Sequence, residues 1–263
     1  MCFFVRVLMA TLLALNAPWT TSLTAQTRDE PVVAAAADLS AALPEVVRAF
    51  TAHSGRTVKV VFGSSGTFTQ QIRNGAPFQL FLSADESYVQ LLVSAGKAEG
   101  PGALYATGRI GLFLPRGSPI VSDTSLKGFV DAVRRGAITR FAIANPEHAP
   151  YGRAAKEVLE QLGIWTLVQP RLVLGENAAQ ATQFAQSGST QGGIIPLSLA
   201  RTPQLRDAGT FVLISASRHQ PLQQRMVLLS GAGATARAFY AFLQTREARD
   251  ILARHGFVLP VPR

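Results

Sequence analysis

The stretch FGSSGTFTQQI, residues 62–72, joins an apolar run to a helical pattern through five small residues. The run VKVVF (58–62) is rich in β-branched residues, which is typical of a buried strand. Residues 63–67 are small and mostly hydroxylated, so several N–H and O–H groups can face one point. The stretch therefore predicts a strand, a tight junction and a helix, with hydrogen-bond donors gathered at the junction.

The order of strand then helix recurs along most of the chain. Apolar runs at 32–37, 78–85 and 140–145 are each followed by an amphipathic pattern. In the first of these patterns, five apolar residues share one helical face: Leu39, Leu43, Val46, Val47 and Phe50. This alternation predicts an α/β fold with a parallel or mixed sheet flanked by helices. Ligands of such folds bind beyond the carboxyl ends of strands, where helices begin.

The N-terminus has the pattern of a secretory signal peptide. Arg6 precedes an apolar run at 7–14, and small polar residues lead to a plausible cleavage site after Ala25. The run is too short for an ordinary membrane helix, although a retained anchor is the alternative. Residues 1–25 are therefore predicted to be a signal peptide, and the mature protein is predicted to be periplasmic.

Composition excludes several kinds of site. The only cysteine, Cys2, lies before the apolar run, so the mature chain is predicted to lack disulfides, thiolate metal sites and a cysteine nucleophile. The formal net charge is +9, but the cations are scattered and form no basic stripe interleaved with aromatic residues. We therefore predict no nucleic-acid partner, and we interpret the charge as a general attraction for anions.

Four strand-to-helix junctions share the character of the opening stretch. They are AAADLS with Asp38, GSSGT with Ser65, NPEHAPYG with residues 150–152 and LGENAAQA with Asn177 as a natural N-cap. The start of a helix presents unpaired N–H groups and the positive end of a dipole, which together bind anions without a basic side chain. The four junctions contain almost no Lys or Arg. Arg153 is the exception, and its side chain is predicted to point outward.

Neutral donors favour a small, dehydrated oxyanion, because larger acidic ligands need arginine forks. Hydroxyls of Ser65 and Tyr151 can add donors to the amides, with Ser64 or Thr67 as substitutes. The alternative is that the Ser, Asp and Asn residues are ordinary helix caps, which any α/β protein contains.

The chain resembles the periplasmic molybdate-binding proteins of molybdate ABC transporters, between residues 32 and 260. Six segments carry the resemblance: AAADLSAAL, FGSSGTFTQQI, GAPFQLFLSADESY, ANPEHAPYGRAAKEVLEQLG, LGENAAQA and ARHGFVLP. The resemblance implies a two-lobed type II periplasmic binding protein fold, each lobe a mixed sheet flanked by helices. Two hinge strands, near 106–110 and 221–225, would join lobe one (32–107 plus 222–263) to lobe two (108–221).

The resemblance also implies a set of ligand-binding positions. Ser65 matches a serine that donates its hydroxyl, and Tyr151 and Ala178 match residues that donate backbone amides. Asp38 stands where the family has a serine, and Pro196 stands where many relatives have a tyrosine whose hydroxyl binds the ligand. Proline has neither a hydroxyl nor an N–H, so the hydroxyl of Tyr151 is predicted to take over that role.

Asp38 leaves two interpretations open, because a carboxylate close to a dianion is repulsive. It could cap its own helix, which is the interpretation that we favour for a molybdate site. Alternatively, it could accept a proton from a protonated anion such as hydrogen phosphate, since molybdate, tungstate and sulfate carry no proton at neutral pH.

The predicted function is high-affinity binding of molybdate, or tungstate, and delivery to an ABC transporter permease by a monomer that needs no cofactor and is not an enzyme. The alternatives are another tetrahedral oxyanion, such as phosphate or sulfate, and a secreted hydrolase. For the hydrolase, His148 is the histidine to consider, but the sequence contains no G-x-S-x-G elbow and no HExxH zinc motif.

Overall fold

A computed structural model describes residues 30–260, so the predicted signal peptide at 1–25 lies outside the described residues. The strands form two five-stranded sheets. Their bounds are β1 (Val32–Ala36), β2 (Lys59–Gly63), β3 (Leu80–Ser83), β4 (Ala103–Gly108), β5 (Ile110–Pro115), β6 (Phe141–Ala144), β7 (Leu172–Gly175), β8 (Gly193–Pro196), β9 (Gly209–Leu213) and β10 (Leu222–Leu228).

Both sheets are mixed. The first has the order β2-β1-β3-β10-β4, in which β1 is parallel to β2 and β3 while β10 is antiparallel to β3 and β4. The second has the order β7-β6-β8-β5-β9, in which β6 is parallel to β7 and β8 while β5 is antiparallel to β8 and β9. The prediction of mixed sheets in an α/β fold is confirmed.

Helices connect the strands and cover the sheets. Their bounds are α1 (Leu43–Ser54), α2 (Ser65–Arg73), α3 (Glu86–Ser94), α4 (Lys127–Arg134), α5 (Pro150–Gln161), α6 (Trp165–Val168), α7 (Ala178–Gln186), α8 (Leu197–Ala200), α9 (Pro203–Ala208), α10 (Ala234–Phe242) and α11 (Arg246–Arg254). Short 3₁₀ helices lie at Ala37–Leu39, Gln169–Arg171 and Ala216–Arg218. Within residues 30–260, none of the helices combines the length and apolar character needed to cross a bilayer.

The first helix begins later than the apolar pattern suggests. Leu39 belongs to the 3₁₀ helix, and α1 begins at Leu43 with Pro44 in its first turn. The fixed φ of proline suits that position, and its missing N–H would have no partner there. Gly55 ends the helix at φ 66°, a left-handed conformation that glycine adopts without strain.

An aromatic cluster joins α1 to α10 in the core of the first sheet. The ring of Phe50 lies 5.0 Å from that of Phe239 and 5.6 Å from that of Phe242, both in tilted arrangements. Phe50 is 2% exposed, as its place on the predicted apolar face requires. This packing fixes α1, and the chain that enters it, against the first sheet.

The sequence pattern missed α4, because the helix begins without a capping side chain of its own. Its N-cap residue, Leu126, has φ 65°, and Asp123 outside the helix accepts hydrogen bonds from the amides of Lys127 and Gly128. An N-cap is normally recognised as Ser, Thr, Asp or Asn directly before the helix. Here the carboxylate reaches the same amides from several residues away.

Candidate functional site

Four strand ends and the segments that follow them meet between the two sheets. β1 and β2 belong to the first sheet and β6 and β7 to the second, and each leads into one of the junctions identified in the sequence. Three junctions contribute to one buried cluster, namely through Ala36, Tyr151 and Ala178. Ala84, which follows β3, belongs to the same cluster, and its amide donates to the hydroxyl of Ser65 at the remaining junction. Residues from both sheets therefore line a common point.

Hydrogen bonds tie the junctions to one another. The Gly66 amide, in the first turn of α2, donates to the carbonyl oxygen of His148 over 2.9 Å. The Asn145 amide donates to the carbonyl oxygen of Gly175 over 2.7 Å, which joins the third junction to the fourth. These backbone contacts set the spacing between α2, α5 and α7 at their N-terminal ends.

Ser65 is buried in the first turn of α2, with its hydroxyl oriented by a backbone contact. Its Oγ accepts a hydrogen bond from the Ala84 amide over 3.0 Å. Since the oxygen is the acceptor in that bond, the hydroxyl hydrogen is left to donate elsewhere. The Ser65 amide is also outside the local cap, because Ser64 Oγ accepts from the Thr67 amide.

Ala178 and Tyr151 lie in the first turns of α7 and α5. Asn177 caps α7 by accepting from the amides of Ala179 and Gln180, as predicted, and this leaves the Ala178 amide outside the cap. In α5, the carbonyl of Ala149 accepts from the two residues that follow Tyr151, so the Tyr151 amide is not used in that turn. The predicted amide donors thus remain available.

Asp38 does not cap a helix, contrary to the interpretation favoured from the sequence. It is fully buried, and its Oδ2 accepts from the hydroxyl of Tyr151 over 2.9 Å and from Nε2 of Gln224 over 2.6 Å. Gln224 Nε2 also lies 3.1 Å from the Tyr151 hydroxyl. In this structure the single hydrogen of that hydroxyl goes to Asp38, so the donation of this hydroxyl to an anion stays a prediction.

Burial dominates the electrostatics of this cluster. Removal from water raises the pKa of Asp38 to about 6, although the hydrogen bonds from Gln224 and Tyr151 act in the opposite direction. Burial also raises the pKa of Tyr151 well above its usual value, and the neighbouring carboxylate adds to that effect. The surroundings of Asp38 thus destabilise the ionised form of its carboxyl group.

Pro196 is buried at the end of β8 and opposite Ile110 in the second sheet, and it offers no donor. Two residues later, the hydroxyl of Ser198 donates to the carbonyl oxygen of Asp38 over 2.8 Å. The segment after β8 therefore contacts the first junction through Ser198 rather than through the position that the sequence suggested.

His148 links two junctions of opposite sheets. Its Nδ1 lies 2.9 Å from Ser64 Oγ and its Nε2 lies 3.5 Å from a carboxylate oxygen of Glu176. The order Ser, His, Glu has the composition of a hydrolytic triad, which the sequence did not reveal. However, Ser64 Oγ caps α2 and donates to Thr67 Oγ1 over 2.7 Å, so this hydroxyl is part of the helix start.

Arg153 does not point outward into solvent as predicted. Its guanidinium forms an ion pair of 2.5 Å with Asp85, the N-cap residue of α3, and lies 3.4 Å from Glu157 on its own helix. Asp85 follows β3 of the first sheet, whereas Arg153 lies on α5 beside the second. The ion pair is a further contact between the two halves.

Sequence reasoning missed Gln224, although a signal was present. Strand β10 has the sequence LQQRMVL. Because side chains alternate between the two faces of a strand, Gln224 lies on the same face as Leu222 and Met226. All three are fully buried. A polar residue on an otherwise buried apolar face indicates a specific hydrogen-bond partner, which here is Asp38.

Gly108 gives the Tyr151 hydroxyl the space to reach Asp38. A Cβ at Gly108 would clash with that hydroxyl and lie 2.9 Å from Gln224 Nε2. We expect Gly108→Ala to lower the free energy of unfolding by about 1–3 kcal/mol, the usual effect of overpacking. The measurement is chemical denaturation of Gly108→Ala, Tyr151→Phe and the double variant.

Because Tyr151→Phe removes the oxygen that clashes, the double variant should be more stable than the sum of the two single effects predicts. Strict additivity in this cycle would contradict the assignment of Gly108 to this contact.

Comparisons with known proteins agree with this architecture. The family model for the bacterial extracellular solute-binding protein matches residues 31–258. The molybdate-binding protein ModA of Rhodobacter capsulatus is 36% identical over 232 residues, which cover 87% of this chain and 88% of that protein. The corresponding protein of Azotobacter vinelandii is 30% identical over 237 residues, with 88% and 90% covered.

A solved structure gives the same result for the fold. The periplasmic molybdate-binding protein of Azotobacter vinelandii matches with a TM-score of 0.80 at 28% identity, covering 88% of this chain and 100% of that chain. The predicted two-lobed type II binding protein fold is thereby confirmed. The chain belongs to the family of bacterial extracellular solute-binding proteins that includes these molybdate-binding proteins.

Proposed function

We propose that the chain binds molybdate, or tungstate, and delivers it to the permease of an ABC transporter. The observation that carries the proposal is that helix starts from both sheets are in direct contact, through the amide of Gly66 on the carbonyl of His148 and the amide of Asn145 on the carbonyl of Gly175. Tyr151 and Ala178, in the first turns of α5 and α7, lie in one buried cluster with Ala84, whose amide donates to Ser65. The relatives named as molybdate-binding proteins cover nearly the whole described chain and support the same ligand.

The donors that we assign to the oxyanion are the hydroxyl and amide of Ser65 and the amides of Tyr151 and Ala178. They lie in the first turns of α2, α5 and α7, where the helix dipoles are positive. Asp38 and Pro196 border the same site but offer it no side-chain donor as they stand. A dianion would thus be held by dipoles, which suits a compact ion without a proton.

We propose that lobe one comprises residues 32–107 with 222–263, and lobe two residues 108–221. In support, β4 and β10 belong to the first sheet, while the next strand after β4, β5, and the last strand before β10, β9, belong to the second. The chain therefore passes between sheets twice. Binding would favour the closed arrangement through contacts that the anion makes with both lobes at once.

We further propose that the mature protein is a periplasmic monomer without enzymatic activity. Support comes from the signal-peptide pattern at 1–25 and from relatives that are solute-binding proteins. The membrane partner would be the permease, which contacts the lobes once the anion is enclosed. Failure of the purified protein to hydrolyse generic ester and phosphoester substrates would support the non-enzyme assignment, and turnover would contradict it.

Titration calorimetry of the mature protein tests the ligand. We expect molybdate and tungstate to release heat with one site per chain and to raise the melting temperature, because a ligand at 100 times its Kd stabilises the folded state by about 2.7 kcal/mol. Sulfate and phosphate should bind far more weakly. Absence of heat and of thermal stabilisation with both molybdate and tungstate would reject the proposal.

Hydrogen phosphate is the second candidate, and one observation favours it. Oδ1 of Asp38 is buried without a hydrogen-bond partner among residues 30–260, so it can accept a hydrogen from a protonated anion. The same titration separates the candidates, because tight phosphate binding with weak molybdate binding would select phosphate.

A further inference from the structure

Two oxygen acceptors remain unpaired next to the proposed anion site. Asp38 Oδ1 and Gln224 Oε1 are both buried and have no hydrogen-bond partner in the described part of the chain. Both residues are fully buried. An ionised carboxylate that is buried with an unsatisfied oxygen is costly, and a dianion brought close to it increases that cost. A hydrogen on Asp38 Oδ1 would remove both the cost of burying a charge and the repulsion between that charge and the dianion.

We propose, on the basis of the function proposed above, that Asp38 takes up one proton from solvent when the oxyanion binds, so that Oδ1 donates to an anion oxygen. The bound complex then contains a neutral Asp38, whose Oδ2 still accepts from Tyr151 and Gln224. Asp38 thereby changes from a repulsive neighbour of the anion into a further donor.

The side chains that contact this carboxyl group supply no positive charge. Tyr151 on α5 and Tyr105 on β4 are the ionisable groups that face it, and burial raises the pKa of each well above its usual value. Both therefore stay neutral in the physiological range. Gln224 on β10 donates to the carboxylate as a neutral amide, and Ser198 on α8 contacts only the backbone carbonyl.

Two further elements pack against the 3₁₀ helix that carries Asp38. Helix α7, AAQATQFAQ, contains no ionisable residue. Strand β2 contains one, Lys59, which is exposed and lies at the opposite end of the strand from the junction. Thus none of these described neighbours provides a cation that would keep Asp38 ionised once an anion is enclosed.

The expected pH dependence of the affinity follows from the pKa of Asp38 in the ligand-free protein. Burial raises the pKa of Asp38 to about 6, so about 1% of the free protein carries this proton at about pH 8. If only that fraction is competent, the apparent affinity is reduced about 100-fold there, and it should fall about tenfold per pH unit above about pH 7. Near about pH 6 the reduction shrinks to about twofold.

The experiment is calorimetry of the mature protein with sodium molybdate between about pH 7 and about pH 8.5, in buffers that differ in ionisation enthalpy. We expect the wild type to take up nearly one proton per molybdate. Asp38→Asn, which resembles the protonated side chain, should take up none and should bind about 100-fold more tightly than the wild type at about pH 8. Circular dichroism checks that the variant is folded.

Asp250→Asn is the matched control, because Asp250 is an exposed carboxylate on α11. It should reproduce the proton uptake of the wild type. Molybdate binding by the wild type without proton uptake would overturn the inference and leave the proposed function intact, and this measurement needs no variant. An Asp38→Asn protein that keeps the pH dependence would also overturn it. Absence of molybdate binding at every pH would instead reject the proposed function.

Discussion

Gly66→Ala is expected to weaken molybdate binding by about 100- to 10,000-fold while the ligand-free protein stays folded. The Gly66 amide donates to the carbonyl oxygen of His148, which is the direct backbone contact between the second and third junctions. A Cβ at Gly66 would lie 2.6 Å from that oxygen and 2.9 Å from His148 Cβ. Both contacts are too short, and backbone atoms cannot rotate away, so the junctions must separate.

If the junctions separate, an anion that is bound by the donors of one lobe no longer reaches the donors of the other lobe. Each hydrogen bond to a charged group contributes about 1.5–3 kcal/mol, so the loss of two corresponds to the stated range. The fold itself should tolerate the change, because Ala is favoured over Gly inside a helix by about 0.5–1 kcal/mol. Calorimetry with molybdate measures the affinity, and thermal melting without ligand measures the fold.

Gln70→Ala is the control for this variant, since Gln70 is exposed on the same helix, α2. It should bind molybdate as the wild type does. If Gly66→Ala bound molybdate with unchanged affinity, the contact between Gly66 and His148 would not be part of the binding-competent state.

Phe50→Ala is expected to lower the free energy of unfolding by about 3–5 kcal/mol, as for other large aromatic deletions in cores. Its ring lies against Phe239 and Phe242, so the deletion leaves a cavity between α1 and α10 that close packing cannot fill. For a domain of this size the melting temperature should fall by about 6–20 °C. Chemical denaturation of the ligand-free protein gives the free energy directly.

The control for Phe50→Ala is Val121→Ala, because Val121 is 67% exposed. Its effect should stay within about 0.5 kcal/mol. Below its melting temperature, Phe50→Ala should still bind molybdate. The side chain packs against α10 and is not one of the donors that we assign to the anion. A loss of less than about 1 kcal/mol would show that the aromatic cluster is not a structural core.

The sequence alone determined most of the segments that become strands and helices, and the four junctions between them, although the pattern missed α4. The run VKVVF, the small residues after it and the amphipathic pattern beyond gave β2 and α2, and Asn177 was correctly identified as the cap of α7. These features depend on periodicity and on hydrogen bonds between residues a few positions apart, so they can be recognised within a short window.

The ligand-binding positions were proposed from the resemblance. The hydrogen-bond partners of their side chains could not be predicted from the sequence. The sequence predicted a cap at Asp38 and an outward side chain at Arg153, and the structure gives both a partner in another element. Short polar side chains at a helix start can bond locally or across the fold, and local pattern does not distinguish these cases.

Only the tertiary structure decided that Asp38 meets Tyr151 and Gln224, which lie 113 and 186 positions away along the chain. These contacts arise because two sheets place the ends of β1, β6 and β10 against one another, and such an arrangement has no local signature. The burial that raises the pKa of Asp38 arises in the same way, because the solvent is excluded by both halves together. The positions of most strands and helices could therefore be recognised in the local sequence, whereas the chemistry of the enclosed carboxyl group depends on distant residues that folding brings together.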